Sequence, residues 1–541
     1  MLDGRGECVQ GGRGHRSLEK DGFRNCKLLV NLPENIHLLT SLRIVDISGC
    51  SSISRFPVFS KNIRYLYLNG TAIEELPSSI GDLRELIYLD LGGCNRLKNL
   101  PSAVSKLVCL EKLHLSGCSS ITEFPKVSNN IKELYLNGTA IREIPSSIDC
   151  LFELAELHLR NCKQLEILPS SICKLKNLQR LNLTGCLQFR SFPEVLEPME
   201  RLRYLYLDET SITQLPSPIE NMMGLTCLEV GNCKHLKCFF YLQLHKRCVY
   251  LNGLRKLNLD GCHISEVPDS LGCLSSLEVL DLSGNDFQTI PISINKLFEL
   301  QYLGIRSCRN LKSLPELPPR LSKLDADKCQ SLRTVASSST RVKGNIFEFI
   351  FTRCCKLLHE TNQILEYSLL KFQLYTKRLY HQVPDVPEGA CSFCLPGHRT
   401  PKWFSHRSRG STVTFQLSSH WSKSKFLGFS LCAVIACRSF SHDLQVKCTY
   451  RFRNKHGDSR DFNCYLHGCE VSVEFQPESI DGNHLTFYPC QVRECGVRLL
   501  HPNNEDEIQR FDLIMPSSSR FYPLDRYELE PGFQAKRTNK S

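Results

Sequence analysis

The sequence predicts a solenoid, a fold in which short repeats stack along one axis. The first observation is an internal copy: residues 62–80 read NIRYLYLNGTAIEELPSSI and residues 130–148 read NIKELYLNGTAIREIPSSI, identical at 15 of 19 positions. The second is a recurring pattern, LxxLxLxxC/T-x-x-L-x-x-LP, that is typical of leucine-rich repeats. The third is the length of the repetitive region, in which thirteen complete repeats follow one another at spacings of 21 to 29 residues. One repeat cannot bury its own apolar face, so neighbours must share a core.

The repeats assign residues 22–336 to an α/β leucine-rich-repeat solenoid, which is expected to curve as a horseshoe. They begin at Leu42, Ile63, Leu86, Leu110, Ile131, Leu154, Leu178, Leu202, Leu225, Leu254, Leu277, Leu300 and Leu321. Side chains alternate across a strand, so LxL predicts a short strand with its leucines in the core. Proline in the later LP suits the turn back along the convex side, and the SSI after it starts a short helical turn.

The 29 cysteines do not indicate a disulfide framework. Nine of them occupy one position of the repeat: Cys50, Cys94, Cys118, Cys162, Cys186, Cys233, Cys262, Cys308 and Cys329. Stacked strands lie about 4.8 Å apart, so these side chains are expected to form a buried column of reduced thiols. Reduced cysteines indicate a cytosolic protein.

The segments outside the repeats differ from them in composition. Residues 1–21 are interpreted as a disordered or non-native tail, and the polar residues 504–541 predict a disordered tail. Residues 337–388 are interpreted as a helical cap and linker, because 345–380 carry apolar residues at three- and four-residue spacing. In 389–503, β-rich runs at 412–417, 426–435, 444–452, 471–475, 484–488 and 492–500 predict an all-β sandwich of jelly-roll or Ig-like type.

Motifs for catalysis and cofactor binding are missing. The sequence has no GxxxxGK[ST], GxSxG, HExxH or GxGxxG motif. It therefore predicts that the protein is not an enzyme and binds no cofactor. The best set of metal ligands, Cys391 and Cys394 with His398 and His406, favours strand residues over zinc. The net charge of +11 is spread without long blocks, which disfavours nucleic acid as a partner. The longest apolar run, Phe426–Cys437, has 12 residues and is too short to span a membrane.

The concave side of the predicted sheet is the candidate partner site. Repeats at Ile63, Ile131 and Leu202 share Leu-Tyr-Leu, so a tyrosine returns in every third repeat. Tyrosine, histidine and carboxylate side chains anchor protein interfaces or give them charge specificity. The alternative is that any exposed strand face carries such residues. The candidate residues are Tyr65, Tyr67, Asp90, His114, Tyr135, His158, Tyr204 and Tyr206.

Two stretches carry a resemblance to a known family. Residues 161–172 read NCKQLEILPSSI, and residues 393–435 read FCLPGHRTPKWFSHRSRGSTVTFQLSSHWSKSKFLGFSLCAVI, followed by VRECGVRLL at 492–500. Together they resemble the C-terminal half of plant TIR-NBS-LRR immune receptors, with its post-repeat jelly-roll and Ig-like domain (C-JID). His398, Arg399 and Thr400 depart from the acidic stretch usual before the following proline.

The resemblance implies the ligand-sensing half of an intracellular receptor. Its partners would be a pathogen effector or a guarded host protein, with a full-length receptor as a further class, and its location the cytoplasm or the nucleus. The TIR domain, an NAD-cleaving module in that family, and the nucleotide-binding domain do not occur in these residues. Two other functions stay open: an adaptor such as a substrate receptor of a ubiquitin ligase, and an extracellular inhibitor of a microbial enzyme.

Overall fold

The computed structural model describes ten segments of the chain: residues 23–236, 251–336, 346–357, 390–394, 399–402, 404–416, 428–437, 444–453, 470–479 and 490–500. The chain divides into two compact units, Met1–Ile305 and Arg306–Ser541. The division falls inside the region that the sequence assigns to repeats, 22–336. Both predicted tails, 1–21 and 504–541, and most of the predicted cap and linker, 337–388, lie outside the described residues.

The first unit contains a parallel sheet of twelve short strands, which follow one another in chain order within the described residues. They are β1 Ile44–Asp46, β2 Tyr65–Tyr67, β3 Tyr88–Asp90, β4 Lys112–His114, β5 Glu133–Tyr135, β6 Glu156–His158, β7 Arg180–Asn182, β8 Tyr204–Tyr206, β9 Cys227–Glu229, β10 Lys256–Asn258, β11 Val279–Asp281 and β12 Tyr302–Gly304. The pairing keeps equivalent repeat positions side by side, as Val45, Leu66 and Leu89 show. The predicted leucine-rich-repeat fold is therefore confirmed.

The middle residue of each strand enters the core, as the alternation predicts. In β2, Leu66 is fully buried, while Tyr65 and Tyr67 on either side are half-buried. Ile63 and Leu68, the apolar residues that flank this strand, are also fully buried. Burying one such side chain stabilises a fold by roughly 1.5–3 kcal/mol, so the shared leucine core holds adjacent repeats together.

A tight turn ends every strand of this sheet, at a residue with positive φ. After β1 to β11 this position is held by Gly49, Gly70, Gly93, Gly117, Gly138, Asn161, Gly185, Glu209, Asn232, Gly261 and Gly284, and after β12 by Ser307. Glycine reaches this region without steric cost and asparagine tolerates it, whereas most other residues are strained there. This requirement explains why the repeats read Gly-Cys, Asn-Cys or Gly-Thr after the strand.

The position after the turn forms the predicted buried column. Cys94, Cys118 and Cys162 are fully buried, and burial raises the pKa of the Cys118 thiol to about 12. Each thiol donates to a carbonyl of the preceding repeat, as Cys162 Sγ does to Leu136 O at 3.1 Å. Threonine takes the same position in the Leu-Tyr-Leu repeats, and the Thr139 hydroxyl lies 3.3 Å from Cys162 Sγ. The predicted burial of this position is confirmed, and the thiols are shielded from reagents in solvent.

The chain returns through 3₁₀ turns that follow the proline of the LP motif, in which isoleucine, valine or serine replaces the leucine in some repeats. In the first unit they span Glu34–Leu38, Ser78–Asp82, Ser102–Lys106, Ser146–Cys150, Ser170–Lys174, Ile219–Asn221, Asp269–Cys273 and Ile292–Lys296. A proline directly precedes each of them, such as Pro77 with φ of −72°. The fixed φ of proline suits this position, and its missing N–H removes a donor that would have no helical partner.

The second unit opens with further parallel strands. These are β13 Ser313–Leu314, which pairs with β15 Thr334–Val335, and β14 Lys323–Asp325, β16 Ile346–Ile350 and β17 Ala390–Cys394, which pair in that order. The repeats that the sequence places at 306–336 thus continue as parallel strands within this unit.

The predicted helix over 345–380 is wrong at its start, because Ile346–Ile350 is a strand and a further repeat. Arg353 takes the positive φ of the turn, and Cys354 occupies the buried position with its thiol donating to Ala326 O at 3.1 Å. Cys355 is exposed in a short 3₁₀ turn, Cys355–Leu357. The signal for a strand was the two-residue alternation of Phe347, Phe349 and Phe351. Residues 358–389 lie outside the described residues.

Two antiparallel sheets of three described strands complete the second unit. Their strands are β18 His406–Arg409, β19 Thr412–Gln416, β20 Gly428–Cys437, β21 Leu444–Arg453, β22 Glu470–Ser479 and β23 Cys490–Leu500, in the orders β18–β23–β20 and β19–β22–β21. The His406 ring stacks on Phe415 of the other sheet at 4.2 Å. Four of the predicted runs coincide with β19, β20, β21 and β23, and β22 extends the fifth. The run at 484–488 lies outside the described residues, and β18 was not predicted.

Candidate binding surface on the strand face

The strand face is the surface formed by the first and third residues of β2 to β8, which flank the buried leucine of each strand. Its outer row consists of Tyr65, Tyr88, Lys112, Glu133, Glu156, Arg180 and Tyr204. Its inner row consists of Tyr67, Asp90, His114, Tyr135, His158, Asn182 and Tyr206. All eight candidate residues from the sequence lie on this surface. A rigid leucine core beneath both rows holds them at strand spacing.

The tyrosines at β2 and β3 begin the surface. The rings of Tyr67 and Tyr88 lie 5.2 Å apart, and the Tyr88 hydroxyl lies 3.5 Å from the Asp90 carboxylate. Burial and the neighbouring Asp90 raise the pKa of Tyr88 to about 12, so its phenol stays protonated at neutral pH. Asp90 is itself 8% exposed and accepts from the backbone N–H of Gly92 at 2.9 Å. These contacts order both rings and the carboxylate.

Three aromatic rings lie in contact at the centre of the surface, two of them stacked and the third edge-on. Tyr135 lies between the imidazoles of His114 and His158, at centroid distances of 5.3 Å and 4.6 Å, and is nearly parallel to His158. Its hydroxyl donates to Glu133 Oε2 at 2.9 Å. Burial and this hydrogen bond raise the pKa of Tyr135 well above its usual value. Stacked rings expose broad edges with little freedom to move, which is favourable for a protein contact.

An arginine joins the central stack to the tyrosines of β8. The Arg180 guanidinium lies 4.3 Å from the ring centroid of Tyr204 and 6.0 Å from that of Tyr206. It donates to the Tyr206 hydroxyl at 3.3 Å and lies 3.6 Å from the Glu156 carboxylate. Because Glu156 also contacts His158 at 3.0 Å, the aromatic groups of β5 to β8 form one connected cluster.

The charges of the strand face are already paired with one another. Asp90 lies 3.1 Å from His114 Nδ1, and Glu133 lies 2.6 Å from Lys112. Paired charges lose less hydration on binding than isolated ones, which lowers the cost of covering this surface.

The structure separates the three tyrosines that the sequence places in one row. Tyr67, Tyr135 and Tyr206 share the register but lie three strands apart, or about 14 Å at strand spacing. Each contacts a different set of neighbours, so the surface is a mixed aromatic and imidazole ladder and not a continuous tyrosine ridge. Sequence reasoning missed Tyr88 and Arg180, although both stand at the strand position that Tyr65 and Tyr204 share.

A carboxyl group with an unusual pKa lies beside this surface, just after β8. Burial and the nearby Glu229 raise the pKa of Asp208 to about 6. Its carboxylate accepts from the Gly231 N–H at 2.9 Å and from the Thr184 hydroxyl at 3.3 Å. These bonds favour the charged form but do not outweigh the loss of hydration.

The stability of the protein is expected to fall as the pH rises from about 4 to 6 because of Asp208. The folded form binds this proton more tightly than the unfolded chain, whose carboxyl has a pKa near 3.8. The stabilisation is complete below pH 4 and is lost above pH 6, by about 1–2 kcal/mol after allowance for partial solvent contact. Thermal melts of Asp208→Asn across this range should show a smaller decline than wild type. The exposed Asp82→Asn variant is the control, and equal slopes in all three proteins would contradict the assignment.

The structure describes only some of the side chains that the sequence offered as possible metal ligands. His406 stacks on Phe415, whereas the side chains of Cys391 and Cys394 and all of His398 lie outside the described residues. In the described segments, no group of three or more histidine, cysteine, aspartate or glutamate side chains could hold a metal ion. In the same segments, no helix is long and apolar enough to cross a membrane.

Family models match both regions of the fold. Residues 395–507 match the C-JID domain, and residues 27–135 match a leucine-rich repeat region. Residues 106–192 and 174–262 match the leucine-rich repeats of RPS4B-like disease resistance proteins, and residues 252–309 match a further leucine-rich repeat model. The chain is thus a leucine-rich-repeat protein with a C-terminal C-JID domain.

Curated relatives from Arabidopsis thaliana narrow this class. The chain is 38% identical to disease resistance-like protein DSC1 over 420 residues, which cover 75% of this chain and 34% of that protein. It is 35% identical to disease resistance protein RPP2B, covering 69% and 32%, and 30% identical to disease resistance protein RPS4B, covering 86% and 34%. By its repeats and its C-JID domain, the chain belongs with the plant disease resistance proteins. It spans about a third of the length of these relatives.

A solved structure is also similar in its repeats. A leucine-rich-repeat protein of Leptospira interrogans shares 23% identity, with a TM-score of 0.44, and covers 63% of this chain and 91% of that protein.

Proposed function

We propose that this chain is the ligand-sensing module of an intracellular plant immune receptor. The strand face binds a pathogen effector or a guarded host protein, and the C-JID domain provides a second contact to the same partner. The relatives named above are disease resistance proteins, which supports the immune role. On this proposal the module works in the cytoplasm, with the nucleus as the second location, and a full-length receptor is a further class of partner.

The observation that carries the proposal is the order of the aromatic groups on the strand face. Tyr135 is held between two imidazoles, and Tyr204 is held by the Arg180 guanidinium. Immobilising a flexible side chain on binding costs about 0.5–1.5 kcal/mol, and groups that are ordered beforehand avoid much of this cost. Tyrosine and arginine are also the residues most often responsible for large losses of affinity when truncated. The surface is thus suited to binding, and the proposal assigns it no catalytic step.

Cross-linking of a captured complex tests the location of the contact. The tagged chain is co-expressed in leaf tissue with a panel of secreted pathogen proteins, and retained partners are cross-linked through lysines and mapped by mass spectrometry. Cross-links are expected from Lys112, which lies on the strand face with its side chain 45% exposed. The exposed Lys126 and Lys163, on segments that return from the strands, are the controls. Partners that cross-link to the control lysines and never to Lys112 would overturn the strand-face assignment.

A further inference from the structure

A group of five cationic residues lies on or directly beside one sheet of the second unit. They are Arg399, Lys402, Arg407, Arg409 and Arg493, here called the arginine face, and all are exposed. In the segments that the structure describes, none of the five forms an ion pair with a carboxylate. Charges on a folded surface are usually interspersed with the opposite sign, so this grouping is unlike the paired charges of the strand face.

Strand pairing places these cations on one side of the sheet. Arg407 and Arg409 alternate with His406, whose ring packs inward on Phe415, so both arginines point to the opposite side. Arg407 lies opposite Gly496 and Arg409 opposite Glu494 on the neighbouring strand β23. Both arginines therefore lie beside β23 on the outer face of the sheet.

Local backbone features bring the other cations to the same place. The pairing of β20 with β23 shifts register between Val434 and Ile435, and the bulge leaves Arg493 exposed beside Glu494. The Gly410 N–H donates to Arg493 O at 2.8 Å, which joins the end of β18 to the bulge. The bulge and this hydrogen bond set Arg493 next to Arg409.

A short segment before β18 is fastened across the same side of the sheet. The Thr400 N–H donates to Glu494 Oε2 at 3.0 Å. A Cβ at Gly496 would lie 2.7 Å from Thr400 Cγ2 and 3.2 Å from Phe404 Cβ, so the missing side chain makes room for this segment. Arg399 and Lys402 are thereby held beside β23. The single carboxylate in the cluster, Glu494, already accepts a backbone hydrogen bond.

We propose that the arginine face binds an extended acidic segment of a partner protein, laid along the edge strand β18. Arg407 and Arg409 are separated by two residues of a strand, about 6.8 Å, the spacing of carboxylates at alternate positions of an extended peptide. Guanidinium groups bind carboxylates through two parallel hydrogen bonds. Among the described strands β18 pairs with β23 alone, and on this proposal the peptide backbone pairs with the other edge of β18.

The same observations disfavour nucleic acid. Proteins that bind single strands stack the bases on exposed aromatic rings. Of the aromatic rings that the structure describes in residues 399–416, Phe404 is 3% exposed and Phe415 is 7% exposed, so neither of these two is presented to solvent. Glu494 stands within the cluster and would repel a phosphate backbone. The proposal for the arginine face does not depend on the partner proposed for the strand face.

The test is fluorescence anisotropy with the full chain and a labelled synthetic peptide that carries glutamate at every second position. Wild-type protein is expected to bind it, and the dissociation constant should rise with ionic strength because the contact is exposed. The double variant Arg407→Gln/Arg409→Gln should weaken binding by about tenfold or more. The control is Arg142→Gln/Arg190→Gln, which removes the same charge from exposed positions of the repeats and should leave binding unchanged.

Two further probes separate the classes of partner. A peptide with the same glutamates in one block should bind more weakly than the alternating peptide. Equal binding by the two double variants, or tighter binding of duplex DNA or phosphatidylserine vesicles that is lost in Arg407→Gln/Arg409→Gln, would overturn the proposal. Thermal melts of all variants check that these exposed substitutions leave the fold intact.

Discussion

Replacing Leu66 with aspartate is expected to unfold the repeats on both sides of β2. Leu66 is fully buried and pairs with Val45 and Leu89 in the neighbouring strands. A carboxyl group at this position finds no partner in the leucine core, and burying it costs several kcal/mol even after its pKa rises. This cost is comparable to the whole stability of a typical domain, which is about 5–15 kcal/mol. Circular dichroism melts should show a large fall in Tm or the loss of the cooperative transition.

The matched control lies in the same strand. Tyr65→Asp introduces the same side chain one residue earlier, on the half-buried outer side of β2. It should cost about 1 kcal/mol, because the carboxylate keeps contact with water. In a solenoid each repeat is supported by its neighbours, so limited proteolysis of the Leu66→Asp protein should cut first in the repeats next to β2. Equal destabilisation by the two substitutions would contradict the alternating arrangement of core and surface residues.

The repeat core could be predicted from the sequence because it depends on local rules. Leucines at alternate positions, such as Leu66 and Leu68, must share one side of a strand, and the glycine that often precedes the cysteine or threonine meets a turn that requires positive φ. The repeat at 346–357 was missed because no LP motif precedes it and phenylalanine replaces leucine. The turn residue there is Arg353, which strains the backbone where glycine would not.

The candidate surface was predictable in its register but not in its contacts. Register follows from repeat spacing, and this is why the sequence could place Tyr67, His114 and Tyr135 on one surface. The position of the Arg180 guanidinium over Tyr204 depends on side-chain rotamers that repeat spacing does not specify. The raised pKa of Asp208 likewise arises from burial and from Glu229, which belongs to the next repeat. Contacts of this kind depend on side-chain packing between repeats, which repeat spacing alone does not specify.

Replacing Tyr67, Tyr135 and Tyr206 together with alanine is expected to abolish most partner binding by the strand face. The three rings lie in one register across β2, β5 and β8 and are half-buried in the free protein. Each can act as an anchor whose truncation costs about 2 kcal/mol, although such losses do not add fully. A combined loss of about 3 kcal/mol corresponds to somewhat over a hundredfold in Kd. The measurement is titration calorimetry with the captured partner, or a cell-death assay with the substitutions in the full receptor.

The stability of this triple variant must be measured alongside, because the rings also contact their neighbours. Loss of the stack on His158 and of the Arg180 contact should cost about 1 kcal/mol per site. That loss lowers Tm but leaves the leucine core in place. The control is Phe152→Ala/Phe298→Ala, which removes two exposed rings from the loops before β6 and β12 and should leave affinity unchanged. If the triple variant folds and binds its partner with wild-type affinity, the strand face is not the partner site, and the loops of the C-JID domain become the next surface to test.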